Sequence, residues 1–265
     1  MAAKEGGAHR IELCEALELD GLTPSEELMR QTIATGIPVQ VLIRVREGDF
    51  VYTPEEVETM AASIRLAKSL GAHGVVIGAL TPSGHIDKPA ITRMMKETDG
   101  MSVTFHRAFD VCKNPTEALE DIITLGCHRL LTSGQQQSAF DGIPLLRQLT
   151  AQADGRIIIM PGCGVNPSNI LQIAEETGAT EFHFSGRSSH ESGMIYRNPK
   201  VSMGGTVKIE EYQKDVTSPE IVKAAVAVLA QKDEKEEAIE KKNKEARAKS
   251  RKKKNEFDDD DDDLD

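Results

Sequence analysis

The chain has 265 residues, 39% of them hydrophobic and 28% charged, with a formal net charge of -11, a length for one large domain or two small ones around a sizeable core. The acidic balance argues against general nucleic-acid binding, whose surfaces are basic, and no apolar run reaches the length of a membrane span or the pattern of a secretory signal. Four scattered cysteines (Cys14, Cys112, Cys127, Cys163) lack a Cys-x-x-Cys pair and read as reduced thiols of an intracellular protein.

In chain order the first element is "MAAKEGGAHRIELC", the charged, Ala-rich end of a helix that stops at Gly6-Gly7 and passes into a strand from Arg10 to Cys14. The same helix stop and strand recur as "LGAHGVVIGAL", "LGCHRLLTSG" and "TGATEFHFSG". Strands of a second kind, each preceded by a turn residue, lie between them: "IPVQVLIRV", "GMSVTFHRAF" and "GRIIIMPGCG". Helix starts are marked at Thr53-Pro54, Asn114-Pro115 and Asn166-Pro167, each a capping side chain before a proline, the first two with Glu three residues after the cap. From Thr53 the apolar residues Val57, Met60, Ala61, Ile64 and Ala67 keep helical spacing.

Strands alternating with capped helices predict an α/β fold with a parallel sheet. Three full pairs of strands and one half pair suggest a TIM-type (β/α)8 barrel whose first strand is missing from this chain. A truncated gene model or an alternative start accounts for that reading, and an open doubly wound sheet is the alternative architecture. The barrel occupies residues 1–230. From Gln231 the composition shifts to a charged low-complexity tail, 231–265, that lacks apolar residues to bury and reads as disordered or marginally helical. Its "KSRKKK" run fits a nuclear import signal or a solubilising segment, and the terminal Asp run can fold back on it. An interaction tail on a catalytically silent barrel is one functional class the chain allows.

Barrels carry chemistry at the C-terminal ends of their strands, where Glu12, Cys14, Arg44, Arg46, His106, Arg107, Asp110, His183, Ser185 and Arg187 gather. In "TFHRAFD", His106 suits proton transfer, Arg107 a carboxylate or phosphate clamp, and Asp110 the orientation of either; a buried structural network is the competing reading. His183 points away from the flanking Phe182 and Phe184 in a regular strand, toward a pocket or an inner layer of the barrel. Gly162 and Gly164 in "PGCG", with Ser185, Gly186 and Arg187 in "FSGR", offer backbone N–H groups and a cation for an anion, or merely tight turns. Cys14 at a strand end suits a soft ion such as Cu(I), or is a small apolar filler.

The stretches "GAHRIELCEALELDGLTPS", "VLIRVREGDFVYT", "GVVIGALTPSGHID", "VTFHRAFD", "LLTSG", "IIIMPGCGVN" and "EFHFSGRSS" together resemble the CutC copper homeostasis family, in order and over residues 1 to about 229. The resemblance implies a TIM-type barrel, a cytoplasmic location that extends to the nucleus in animals, a homo-oligomer, and Cu(I) bound by cysteines near the ends of the first two strands. Cys14 is one of these cysteines. Its partner would lie in the strand this chain lacks, and "PGCG" and "HFSGR" depart from the family's triple glycine and His-Gly-Ser-Gly-Arg. The expected function is therefore cytosolic Cu(I) binding or trafficking, with copper as cargo and no membrane or nucleic-acid partner. An uncharacterised barrel enzyme acting on a small anionic, phosphorylated or otherwise, substrate through Glu12, His106, Arg107, Asp110 and His183 is the alternative.

Overall fold

Strand-forming runs alternate with helices from Ile11 to Thr177 in the computed structural model, which describes residues 1–201 and 210–232. In order come α1 (Ala2–Glu5), β1 (Ile11–Leu13), α2 (Glu26–Ile33), β2 (Val39–Leu42), α3 (Pro54–Ser69) and β3 (Gly74–Ile77). Then follow α4 (Lys88–Met95), β4 (Ser102–Phe105), α5 (Pro115–Thr124), β5 (Arg129–Thr132), α6 (Ile143–Ala153), β6 (Ile158–Pro161) and α7 (Ile170–Thr177). The six strands form one parallel sheet in chain order, β1-β2-β3-β4-β5-β6. A helix after each strand returns the chain to the same edge, which is why neighbours in sequence are neighbours in the sheet.

The helix starts follow local chemistry. Thr53 forms a complete capping box with Glu56 ahead of α3, and Asn114 accepts from the N–H groups of Thr116 and Glu117 ahead of α5. These bonds satisfy donors that the first helical turn leaves unpaired. On α3, Val57, Met60, Ala61, Ile64 and Ala67 are all buried, one stripe against the sheet. Each large apolar side chain withdrawn from water contributes about 1.5–3 kcal/mol.

The two faces of the sheet differ. Val39, Val41, Val75, Ile77, Val103, Phe105, Leu130 and Ile159 join the helices in one apolar core. The alternate residues, including Gln40, Leu42, Val76, Thr104, Leu131 and Met160, are also buried and point to the concave side. That inner face carries polar groups: the carboxylate of Glu181 pairs with both Arg10 and Arg129, and Arg129 also donates to the Ser102 hydroxyl at 2.6 Å.

Two expectations change. The strand predicted in "TGATEFHFSG" reduces to a single parallel bridge between Gly162 and His183, so the sheet is a six-stranded arc. No ladder joins that segment to β1 among the described residues. Side chains span the interval, Arg10 to Glu181 and Glu12 to His183. At Gly186, φ is +55°, a value glycine adopts at little cost. There the chain turns into β7 (Arg187–Glu191), which pairs antiparallel with β8 (Gln213–Thr217) outside the arc. Second, α7 starts at Ile170 rather than at Pro167. Asn166 accepts from the Ser168 N–H, and Asn169 accepts from the Asn166 N–H, so the Asn side chains stabilise a turn in competition with the helix.

Residues 219–232 form a helix that buries Val222 and Ala225. It sits so close to the end of α1 that a Cβ on Gly6 would lie 2.5 Å from the Val222 Cβ. No helix among the described residues is long and apolar enough to cross a membrane. The expected boundary at 230 falls within this helix; most of the charged tail, with its basic and Asp runs, lies outside the described residues.

Candidate functional site

The inner face of the arc collects titratable groups at one end of the strands. Glu12 is the middle residue of β1, and its Oε2 lies 3.3 Å from Nε2 of His183. Burial works against both charges, but each partner's charge prevails: Glu12 is held below the usual carboxylate range, and His183 is raised above the usual imidazole range. Their side chains keep 16% and 35% exposure, so water reaches the pair. His183 is placed by its bridge to Gly162, where an added Cβ would lie 3.3 Å from the His183 Cβ and 2.4 Å from Leu131.

Cys14 follows Glu12 by two residues and shares its side of the strand. It packs under Gly21, whose missing Cβ would sit 3.3 Å from the sulfur. Burial, followed by the charge of Glu12, pushes the Cys14 thiol up to about 11. It is therefore protonated at neutral pH.

Arg44, two residues past the end of β2, is 5% exposed. Nη1 donates to the carbonyls of Leu19 and Gly21 at 2.8 and 3.1 Å, and Nη2 to the carbonyl of Gly48 at 2.9 Å. Nε has no hydrogen-bond partner. His106, directly after β4, is also 5% exposed. Its Nδ1 accepts from the Ala108 N–H at 3.1 Å, which places the imidazole proton on Nε2. Nε2 likewise lacks a partner. Burial pushes the pKa of His106 down to about 4; the Glu12 carboxylate opposes this and the Arg44 charge adds to it. Phe50 joins the two residues: its ring centroid lies 5.0 Å from that of His106 and 5.2 Å from the Arg44 guanidinium carbon.

Arg107 and Asp110 form a second network beside this one. Arg107 Nε donates to Asp110 at 2.8 Å, and Nη2 to the Ser133 hydroxyl at 3.2 Å. Asp110 also accepts from the Ser133 hydroxyl and from the N–H groups of Ser133 and Gln135 at 2.9–3.2 Å, and from the Thr132 hydroxyl. The carboxylate thus holds the turn after β5 and fixes Arg107, which stays 43% exposed and whose charge acts on His183.

The other predicted site residues lie elsewhere. Arg46 is tied to Glu56 at 2.7 Å and Asp49 at 3.0 Å. Arg187 begins β7 and pairs with Asp215 at 3.2 Å. The carbonyls of Ser185 and Gly186 receive Thr217 Oγ1 and the Ser218 N–H, which docks the hairpin and the helix against this turn. Gly164 adopts φ +72°, and its carbonyl takes the side-chain amides of Asn166 and Asn169. Phe50, Tyr52 and Gly78 also adjoin this end of the arc, and no local signal in the sequence singled them out. Among the described residues, no three His, Cys, Asp or Glu side chains are arranged to hold a metal ion. The groups present can move a proton between Glu12 and His183 and can donate hydrogen bonds to an anion.

A parallel β/α arc with its ionisable groups at the strand ends defines a protein of the TIM-barrel class. The CutC family model matches residues 1–188, and the chain belongs to the CutC family. A family protein CutC of Bacteroides fragilis is 54% identical over 228 residues, covering 85% of this chain and 91% of that protein. The human copper homeostasis protein cutC homolog is 48% identical over 229 residues, covering 85% and 83%. A crystal structure of a CutC protein from Streptococcus agalactiae superposes with a TM-score of 0.64 at 35% identity, covering 66% of this chain and 87% of that one.

Proposed function

We propose that this protein takes part in copper homeostasis by carrying Cu(I) as cargo on the Cys14 sulfur. The observation that carries the reading is the half-buried thiol beside the Glu12 carboxylate at the end of β1. Burial and Glu12 penalise a bare thiolate, which keeps the proton on sulfur. A Cu(I) ion carries the same charge as that proton, so the neutral copper–thiolate escapes the penalty, and sulfur is the donor this soft ion prefers. One thiol leaves a coordination position for an exchanging donor, which suits transfer better than storage. The cytoplasmic location with nuclear extension and the self-association implied by the family resemblance belong to the same proposal. Anaerobic titration of Cu(I) against a chromophoric chelator tests it: one ion per chain, lost in Cys14→Ser, is expected, and equal binding by the variant overturns it.

A second reading, an enzyme acting on a small anionic substrate, is favoured by the Glu12–His183 pair, a water-accessible carboxylate and imidazole in position to exchange a proton. Small carboxylates and phosphate esters incubated with the chain in D2O test it by proton NMR. Exchange of a carbon-bound proton that stops in Glu12→Gln supports the enzyme; exchange in none of them removes it.

A further inference from the structure

The hairpin outside the arc has an open backbone edge. Among the described residues β7 pairs with β8 and with no other strand. Continued past its ends, that register sets Gly186 opposite Ser218 and Ser192 opposite Tyr212, and both pairs are bonded: Ser218 N–H to the Gly186 carbonyl at 2.8 Å, Ser192 N–H to the Tyr212 carbonyl at 2.7 Å. Bonded and unbonded pairs alternate in an antiparallel ladder, so the backbone groups of Ser188 and His190 face β8. Those of Arg187, Ser189 and Glu191 face away from it, a row of donors and acceptors that another strand can take up.

The charges along β7 complement themselves. In an antiparallel pairing of two copies about an axis at Ser189, Arg187 of each copy stands opposite Glu191 of the other, and Ser189 opposite Ser189. The three residues with open backbone groups then meet one another. Opposite charges in directly opposed positions favour such a pair, and like charges disfavour it. Arg187 and Glu191 also hold partners on their own hairpin, Asp215 at 3.2 Å and Arg197 at 2.5 Å, yet remain 47% and 68% exposed. Across the axis these four charges sum to zero. The matching register for β8 sets Asp215 against Asp215, with Lys214 beside it as a charge of the kind that guards an edge.

Apolar surface lies in the same place. Met194, Ile195 and Tyr196, just after β7, are 55%, 97% and 72% exposed. The chain beyond them is pinned: Asn198 N–H donates to the Tyr212 hydroxyl at 2.9 Å, and the Arg197 guanidinium carbon lies 5.0 Å from the Tyr212 ring centroid. Contiguous apolar side chains held in the open mark an interaction surface. We infer that β7 is the contact between two copies of this chain, joined edge to edge about a two-fold axis at Ser189. In that arrangement the chain leaves β7 beside the Gly186 turn of the second copy, which brings Met194, Ile195 and Tyr196 to the interface. The contact is isologous, with one patch meeting itself. The inference rests on the self-association proposed above and names its surface; copper carriage at Cys14 does not depend on it.

Sedimentation equilibrium and amide hydrogen exchange on the full chain, each over a concentration series, test it. A dimer is expected. The amides of Arg187, Ser189 and Glu191 should be protected in the dimer and lose that protection on dilution, whereas those of Ser188 and His190, bonded to β8, stay protected throughout. This alternation is read on the wild-type chain and does not depend on how a variant folds. Arg187→Glu brings two carboxylates together at each end of the pairing and should weaken the dimer about tenfold or more. Adding Glu191→Arg should restore part of it, with the Ser188 and His190 amides showing that the hairpin is intact. A dimer without the alternating protection, or one that Arg187→Glu leaves unchanged while those two amides stay protected, overturns this surface and leaves self-association standing. A chain that stays monomeric up to its limit of solubility overturns both.

Discussion

Nε2 of His183 lies 3.3 Å from Oε2 of Glu12, and this contact ties the last segment of the arc to β1 where no backbone ladder does. The ion pair therefore has two parts to play, closing the inner face and holding a proton. Glu12 is held low, so its contribution to stability is present above its unfolded pKa, about 4.5, and is lost as pH falls through the lower folded value. His183 is raised, so its contribution is present below about 6.5 and is lost as pH rises through the higher folded value. The pair stabilises most between those limits. Glu12→Gln should cost about 1–3 kcal/mol there, less at either side, as read by urea unfolding across pH. An equal cost at every pH would rule out the ion pair as the cause.

His106 gives a separate acid limb. Its folded pKa of about 4 lies below the ordinary imidazole value of 6.5, so the unfolded chain binds the proton first as pH falls. Stability is full above about 6.5 and declines toward pH 4, by about 3 kcal/mol in all for this group. In His106→Asn that decline should flatten. If the variant keeps the wild-type slope between pH 6.5 and 4, another group is responsible.

Asp110 accepts from a guanidinium, two hydroxyls and two backbone N–H groups. Asp110→Asn loses the charge and turns one acceptor oxygen into a donor facing donors. The expected cost is about 2–4 kcal/mol, accompanied by faster amide exchange at Ser133 and Gln135. Unchanged exchange at those two amides would mean that the turn after β5 holds itself.

Gly6 is the contact point for the helix at 219–232. A methyl group there meets the Val222 side chain at 2.5 Å and the Pro219 carbonyl at 2.7 Å, and backbone cannot yield as a side-chain tip can. Gly6→Ala should destabilise by about 1–3 kcal/mol and speed proteolysis within 219–232 ahead of the sheet. Proteolysis at the wild-type rate would show that this helix is held by other contacts.

The sequence by itself determined the order of the strands from β1 to β6 and the caps of α3 and α5, but not the loss of the strand expected in "TGATEFHFSG" or the β7–β8 hairpin. A capping box at Thr53 and an Asn cap at Asn114 act within three residues, and alternating strands with buried stripes on helices need no partner to be legible. The Asn166 start failed for the same local reason: two Asn side chains within four residues offered the backbone a turn. The placing of Glu12 and Cys14 at a strand end followed from the repeat, as did the charged ends at Arg44 and His106. Only the tertiary structure decided which of these met. Arg46 and Arg187 look no different from Arg44 in sequence, yet Glu56, Asp49 and Asp215 neutralise them, while Arg44 is enclosed by carbonyls. The curvature of the arc brought Glu12 to His183 across 171 positions of chain, and the open place at Gly78 let His106 lean toward Arg44. Charge pairing and tautomer depend on neighbours supplied by distant strands, and a sequence read locally does not contain those neighbours.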